Sequence, residues 1–118
     1  MAVSALLASL LLAQAQAPVD VAYNELRSGD PVAAIAKIER SDARQESHPA
    51  ALINLGIAYA RVGRTAEARA AFEAAAGSNE RFRLETASGE WMDSRDLARR
   101  ALAMLDKGEL TSTQFAAR

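Results

Sequence analysis

His48 is the only residue of this chain with the ordinary chemistry of a general base near neutral pH, and it stands beside Pro49. No nucleophile or orienting carboxylate shares a recognisable spacing with it, so a helix cap or surface role is the better reading. There are no cysteines, which excludes disulfides, zinc fingers, iron–sulfur clusters and thiol catalysis together. Asp42, Glu46, Glu85 and Glu90 are isolated carboxylates in loop-like stretches and read as solvated surface. A metal site would need clustered His, Cys or carboxylates, and the sequence contains no such cluster. Gly63-Arg64-Thr65 resembles the end of a phosphate-binding loop. However, Arg stands in place of the required Lys, position 58 is Ala instead of Gly, and the turn joins two helices. The residues point away from catalysis, and no cofactor is expected.

Whatever this chain does must therefore depend on the surfaces its elements present. Its 118 residues suit one domain, and 50% hydrophobic with 25% charged residues is a globular composition. Only 5% are aromatic, and alanine is abundant, which favours closely packed helices over a β-sandwich. A net charge of −1 with mixed signs argues against a nucleic-acid partner, which normally calls for a basic patch.

Met1 to Ala13 is uncharged and apolar, too short for a transmembrane helix but of the length of a signal-peptide core. Two A-x-A sites overlap, Ala13-Gln14-Ala15 and Ala15-Gln16-Ala17. Cleavage after Ala15 avoids placing Pro18 next to the cut. Residues 1–15 are therefore read as a signal peptide although they lack Lys and Arg. The competing reading is a buried N-terminal helix or an interfacial anchor. Export implies a periplasmic or secreted protein with no membrane insertion after cleavage.

From Val19 onward the pattern alternates helix and tight turn. Ser28-Gly29-Asp30-Pro31 combines a left-handed C-cap, an N-cap and a first-turn proline. The next helix runs to about Ser41 with Val32, Ile35 and Ile38 at helical spacing. Asp42 to Ser47 reads as loop, and Ser47 or His48 caps a third helix. Gly63 ends that helix, Thr65 is the expected N-cap of a fourth, and Glu67 suits its dipole. The fourth ends near Gly77-Ser78-Asn79.

These helices repeat with a period of 34 residues: Gly29 to Gly63, Ala34 to Ala68, Ile38 to Phe72 and Glu39 to Glu73. In the second unit, Pro49 to Phe82, the chain resembles the tetratricopeptide repeat family. Leu52 stands where that family often has Trp, then Leu55, Gly56 and Tyr59 follow the helix A spacing. Gly63 marks the turn, and Ala68, Phe72 and Ala75 follow helix B, while Glu80 replaces the usual closing Pro. The first unit matches less closely, with Ala22 at the small position and Glu25 in place of the Tyr. The resemblance implies an all-α fold of about two antiparallel helix hairpins. Gly56 and Ala68 would permit close crossing, while Tyr59 and Phe72 would fill the space between hairpins.

A third unit is atypical. Phe82 to Thr86 alternates apolar and charged residues before Ala87-Ser88-Gly89, which suggests a short β-hairpin over 82–92, with a short helix as the competing reading. Asp93 or Ser94 then caps a helix over Arg95 to Lys107, with Leu97, Ala98, Ala101, Leu102 and Leu105 on one face. It serves as a capping helix and completes a helical domain over 16–107. Residues 108–118 read as a frayed tail.

In the family, helix A residues line a concave groove for extended peptides or partner helices. Carried over, Tyr23, Arg27, Asn54, Ile57 and Arg61 would face it. Asn54 can hydrogen-bond both ways to a peptide backbone, and Arg27 with Arg61 would favour an acidic or carboxylate ligand. Ordinary repeat consensus for Asn54 and a solvated helix end for Arg61 is the alternative. Trp91 is expected to cover the last helix pair, or else to anchor a partner. The implied function is a non-enzymatic protein–protein interaction module with a protein or peptide partner. A structural envelope component that self-assembles through its terminal hairpins, as a homo-oligomer, is the other class.

Overall fold

The computed structural model describes residues 20–110 and 115–118, so the expected leader over 1–15 lies outside the described residues. The described chain is mostly helical with one small antiparallel sheet. In chain order it comprises α1 (Tyr23–Arg27), α2 (Pro31–Glu39), α3 (Asp42–Gln45), α4 (Pro49–Arg61), α5 (Thr65–Ala76), β1 (Arg83–Glu85), β2 (Trp91–Asp93) and α6 (Ser94–Asp106).

The 34-residue shift is visible in the backbone. The amide of Asp30 donates to the carbonyl of Glu25, and that of Arg64 donates to Tyr59, each at 2.9 Å. Gly29 and Gly63 sit between them at positive φ, so α1 and α4 end in the same six-residue closure. Helices α2 and α5 then begin 34 residues apart, at Pro31 and Thr65. Asp30 caps α2 through its carboxylate, which accepts from the Ala33 amide at 3.0 Å. The equivalent cap of α5 is Arg64 and has no side-chain bond, while Thr65 is already the first helical residue. The expectation of a Thr65 cap is corrected accordingly: the tight closure of α4 brings the chain into helix one residue earlier.

Two other local expectations change. Residues 42–45 form the one-turn helix α3, capped by the Ser41 hydroxyl, where a loop was expected. It closes as α1 and α4 do, but with Ser47 at φ 55° in the glycine position. Val32, expected in the core, is 67% exposed. The buried stripe of α2 is Ala34, Ile35 and Ile38, and Val32 lies about 110° from its centre at 3.6 residues per turn.

Helix α5 lies between α4 and α6, and the core runs across all three. Phe72 is fully buried with its ring against Gly56; a Cβ built on Gly56 would lie 2.5–2.8 Å from three ring carbons. Ala68, Ala71 and Ala75 on α5, with Leu97, Ala98 and Ala101 on α6, keep these contacts short. Leu52 and Leu55 are buried along α4.

The expected β-hairpin over 82–92 is present as β1 and β2, which pair antiparallel with Leu84 opposite Met92. Asp93 caps α6 by accepting from the amides of Arg95 and Asp96. Its ion pair with Arg81, at 2.9 Å, holds the carboxyl below its ordinary pKa. Trp91 does not cover α6. It sits on β2 opposite Glu85 and is 57% exposed.

The frayed tail is also corrected. Leu110, Phe115, Ala116 and Ala117 are all buried. Residues 116–118 run antiparallel to β1 on the edge not used by β2. Arg118 and Glu85 exchange both main-chain bonds, at 3.1 and 3.3 Å, and Ala87 donates to Ala116 at 2.9 Å. Two alanines and a phenylalanine supply enough apolar surface to hold the segment in place, although they follow no helical or strand period in the sequence.

Candidate functional site

The edge-paired segment lies against α4, and Asn54 is where the two meet. In an antiparallel strand, the main-chain groups of alternate residues point to opposite edges. Ala116 and Arg118 use theirs on β1, which leaves the N–H and C=O of Ala117 aimed away from the sheet. Asn54 takes both. Its Oδ1 accepts from the Ala117 amide at 2.7 Å, and its Nδ2 donates to the Ala117 carbonyl at 2.7 Å. The second Nδ2 hydrogen goes to the Val21 carbonyl at 2.8 Å, just ahead of α1. The fully buried carboxamide thus acts as the next strand of the sheet, with both of its donors and its acceptor engaged. Left without partners, such buried groups cost about 1–3 kcal/mol each.

The ends of the seat are set by charge and an aromatic face. The Arg118 guanidinium lies 4.7 Å from the centroid of the Tyr23 ring and 3.4 Å from the Glu85 carboxylate. The Tyr23 hydroxyl accepts from Arg27 at 3.3 Å. Arg61 reaches the Leu26 carbonyl at the end of α1, at 3.5 Å. Arg27 and Arg61 each bond a neutral group within the chain, and the residues around Arg118, Tyr23 and Glu85, suit a cation. Ile57 is on the same face of α4 but is completely buried, so it supports the helix from beneath and offers no contact surface.

Of the five expected groove residues, Tyr23 and Asn54 meet at the seat. Arg27 stands next to it through Tyr23, Arg61 is drawn toward α1, and Ile57 is in the core. Sequence reasoning missed Val21, Glu85, Ala116, Ala117 and Arg118. The apolar run Phe115-Ala116-Ala117 was the one available signal that the C-terminal segment packs.

On the opposite face of α4, a cleft of about 220 Å³ is bordered by Leu52, Leu55, Tyr59, Ala71, Glu67 and Arg44. The Tyr59 hydroxyl donates to the Glu39 carboxylate of α2, and the Arg64 guanidinium lies 4.5 Å from the centre of its ring. Burial, reinforced by that bond to Glu39, pushes the phenol up to about 12. Tyr59 therefore ties α4 to α2 as a neutral donor. His48 caps α4, its Nδ1 accepting from the Ala50 amide at 3.2 Å while the ring stacks on Phe82 at 4.7 Å. Among the described residues no three His, Cys, Asp or Glu gather as metal ligands, and no helix is long and apolar enough to cross a membrane.

Comparison of the chain with protein families, with curated proteins and with solved structures finds no match.

Proposed function

We infer that this chain is a non-enzymatic interaction module of tetratricopeptide type, which holds an extended segment of a partner protein against α4. The observation that carries the reading is the pairing of Asn54 with Ala117. A buried carboxamide on the helix A face reads the main chain of an extended segment, a recognition that depends on backbone and not on side-chain identity. The matching closures of α1 and α4 and the 34-residue spacing of α2 and α5 support the repeat character. The uncharged apolar run and overlapping A-x-A sites support a place in the periplasm or cell envelope.

An array of extended heptapeptides, probed with the full chain, tests the reading. Peptides should bind, and most tightly to variants whose 115–118 segment has been loosened. If the wild-type chain and variants with a loosened 115–118 segment bind nothing on the array, the reading fails.

Self-assembly through the terminal hairpins is a second reading, favoured by the exposure of Val32 and Trp91. Light scattering that finds a monomer at every concentration would remove it.

A further inference from the structure

The occupant of the seat has a definite sequence character. Phe115 is largely buried, Ala116 and Ala117 have no exposed surface, and Arg118 is exposed between Tyr23 and Glu85. We propose that the seat selects extended segments in which two small residues precede a cation, and that residues 115–118 are a built-in competitor with which such a partner exchanges. The proposal rests on the peptide-binding reading above and adds the sequence class of the ligand and its route in.

Size selection follows from burial. A side chain larger than alanine at either small position has no path to solvent and must displace packed atoms. Charge selection follows from the pair at the end of the seat. The face of the Tyr23 ring and the Glu85 carboxylate both attract a cation and both oppose an anion. Backbone recognition by Asn54 and β1 is indifferent to sequence, so these two features carry the selectivity.

Exchange follows from the accounting of bonds. Three main-chain bonds join the segment to β1 and the turn after it, and two join it to Asn54. An incoming segment of the same kind reproduces all five. Departure without replacement gives up these bonds and uncovers the apolar surface that Phe115, Ala116 and Ala117 cover, so replacement is favoured over vacancy. A tethered occupant competes at an effective concentration on the order of millimolar, so a free peptide meets strong competition until the tethered segment is weakened.

The test uses the full chain and a fluorescent synthetic peptide reading Thr-Gln-Phe-Ala-Ala-Arg. Arg118→Glu, at an exposed position, removes the contacts to Tyr23 and Glu85. Ala117→Pro removes the amide that Asn54 accepts from. Both variants should bind the peptide at least tenfold more tightly than the wild-type chain. Peptides ending Leu-Leu-Arg or Ala-Ala-Glu should bind at least tenfold more weakly than the parent. The wild-type chain supplies a measurement that needs no altered fold: saturating peptide should speed hydrogen exchange at its own Ala117 amide.

Equal affinity for wild type and Arg118→Glu, with Ala117 exchange unchanged by peptide, overturns the exchange. Equal affinity for the Ala-Ala-Arg and Leu-Leu-Arg peptides overturns the selectivity, while array peptides that still bind would leave the broader reading standing. Wild-type dimers that trade their 115–118 segments would assign the seat to a second copy and overturn the partner.

Discussion

Asn54 and Ala117, 63 residues apart, pair as two strands of a sheet would, with one partner a side chain. The carboxamide offers a donor and an acceptor at the spacing of a peptide unit, so a helix can continue a sheet without a strand of its own. This contact connects the helical layer, the hairpin and the C-terminal segment.

Replacing Asn54 with Leu keeps the bulk and removes three hydrogen bonds. Stability should fall by about 1–3 kcal/mol, because the 115–118 segment can swing out to water while the Val21 carbonyl cannot. Urea unfolding gives the magnitude. Hydrogen exchange should show Ala117 deprotected with the α5 amides still protected, and retained protection at Ala117 would contradict the pairing.

Gly56 and Phe72 form the second pair that can be tested. Gly56→Ala drives a Cβ into the ring and should cost about 1–3 kcal/mol, despite the better helix propensity of alanine. Phe72→Ala should cost about 3–5 kcal/mol as a buried large-to-small change. Combining Gly56→Ala with Phe72→Leu should recover part of the first loss, and strict additivity in that cycle would mean that the two residues do not share the crossing.

Ser47 occupies a left-handed position that glycine fills at the ends of α1 and α4. Ser47→Gly should relieve that conformation and raise stability by up to about 1 kcal/mol, because the Cβ no longer crowds the following backbone. Calorimetry should show a melting temperature a few degrees higher; a drop would mean that the Ser47 side chain contributes more than its backbone costs.

Tyr59 links stability to alkaline pH. In the unfolded chain a phenol ionises near pH 10, whereas in the folded chain Tyr59 is pushed up to about 12. Its contribution is therefore fully present below about pH 10 and is lost as the pH rises toward 12. Phenolate absorbance should show a late step that Tyr59→Phe abolishes, and the variant should lose less stability over that interval.

The helical layer was largely legible in the sequence because its signals are local. Gly29 and Gly63 mark closures whose hydrogen bonds join residues no more than six positions apart, and Pro31 and Pro49 mark the starts of α2 and α4. The 34-residue spacing paired Ala34 with Ala68 and Ile38 with Phe72, and the family resemblance singled out Gly56, without knowledge of the third dimension. The alternation around Gly89 anticipated the hairpin for the same reason. Val32 shows where a local pattern fails, since an apolar residue two positions into a helix lies on either side of the boundary of the buried stripe.

At the site, the residue type at Asn54 marked a group able to hydrogen-bond a backbone in both directions, and the family resemblance placed Tyr23 on the same side. The sequence could not say what Asn54 would read, because that depends on a segment 63 residues away whose alanines carry no pattern. Nor could it place the charges around that contact. Arg27 and Arg61 are the cations nearest in sequence, but Arg27 is tied to Tyr23 and Arg61 is drawn toward α1, while Glu85 is brought in by the hairpin. By itself the sequence determined the helices, their turns and the close crossings, because backbone closure and helical period act over a few residues. Only the tertiary structure decided that the C-terminal segment completes the sheet and fills the face of α4, because hydrogen bonds between distant main-chain groups depend on which edges the folded elements leave open.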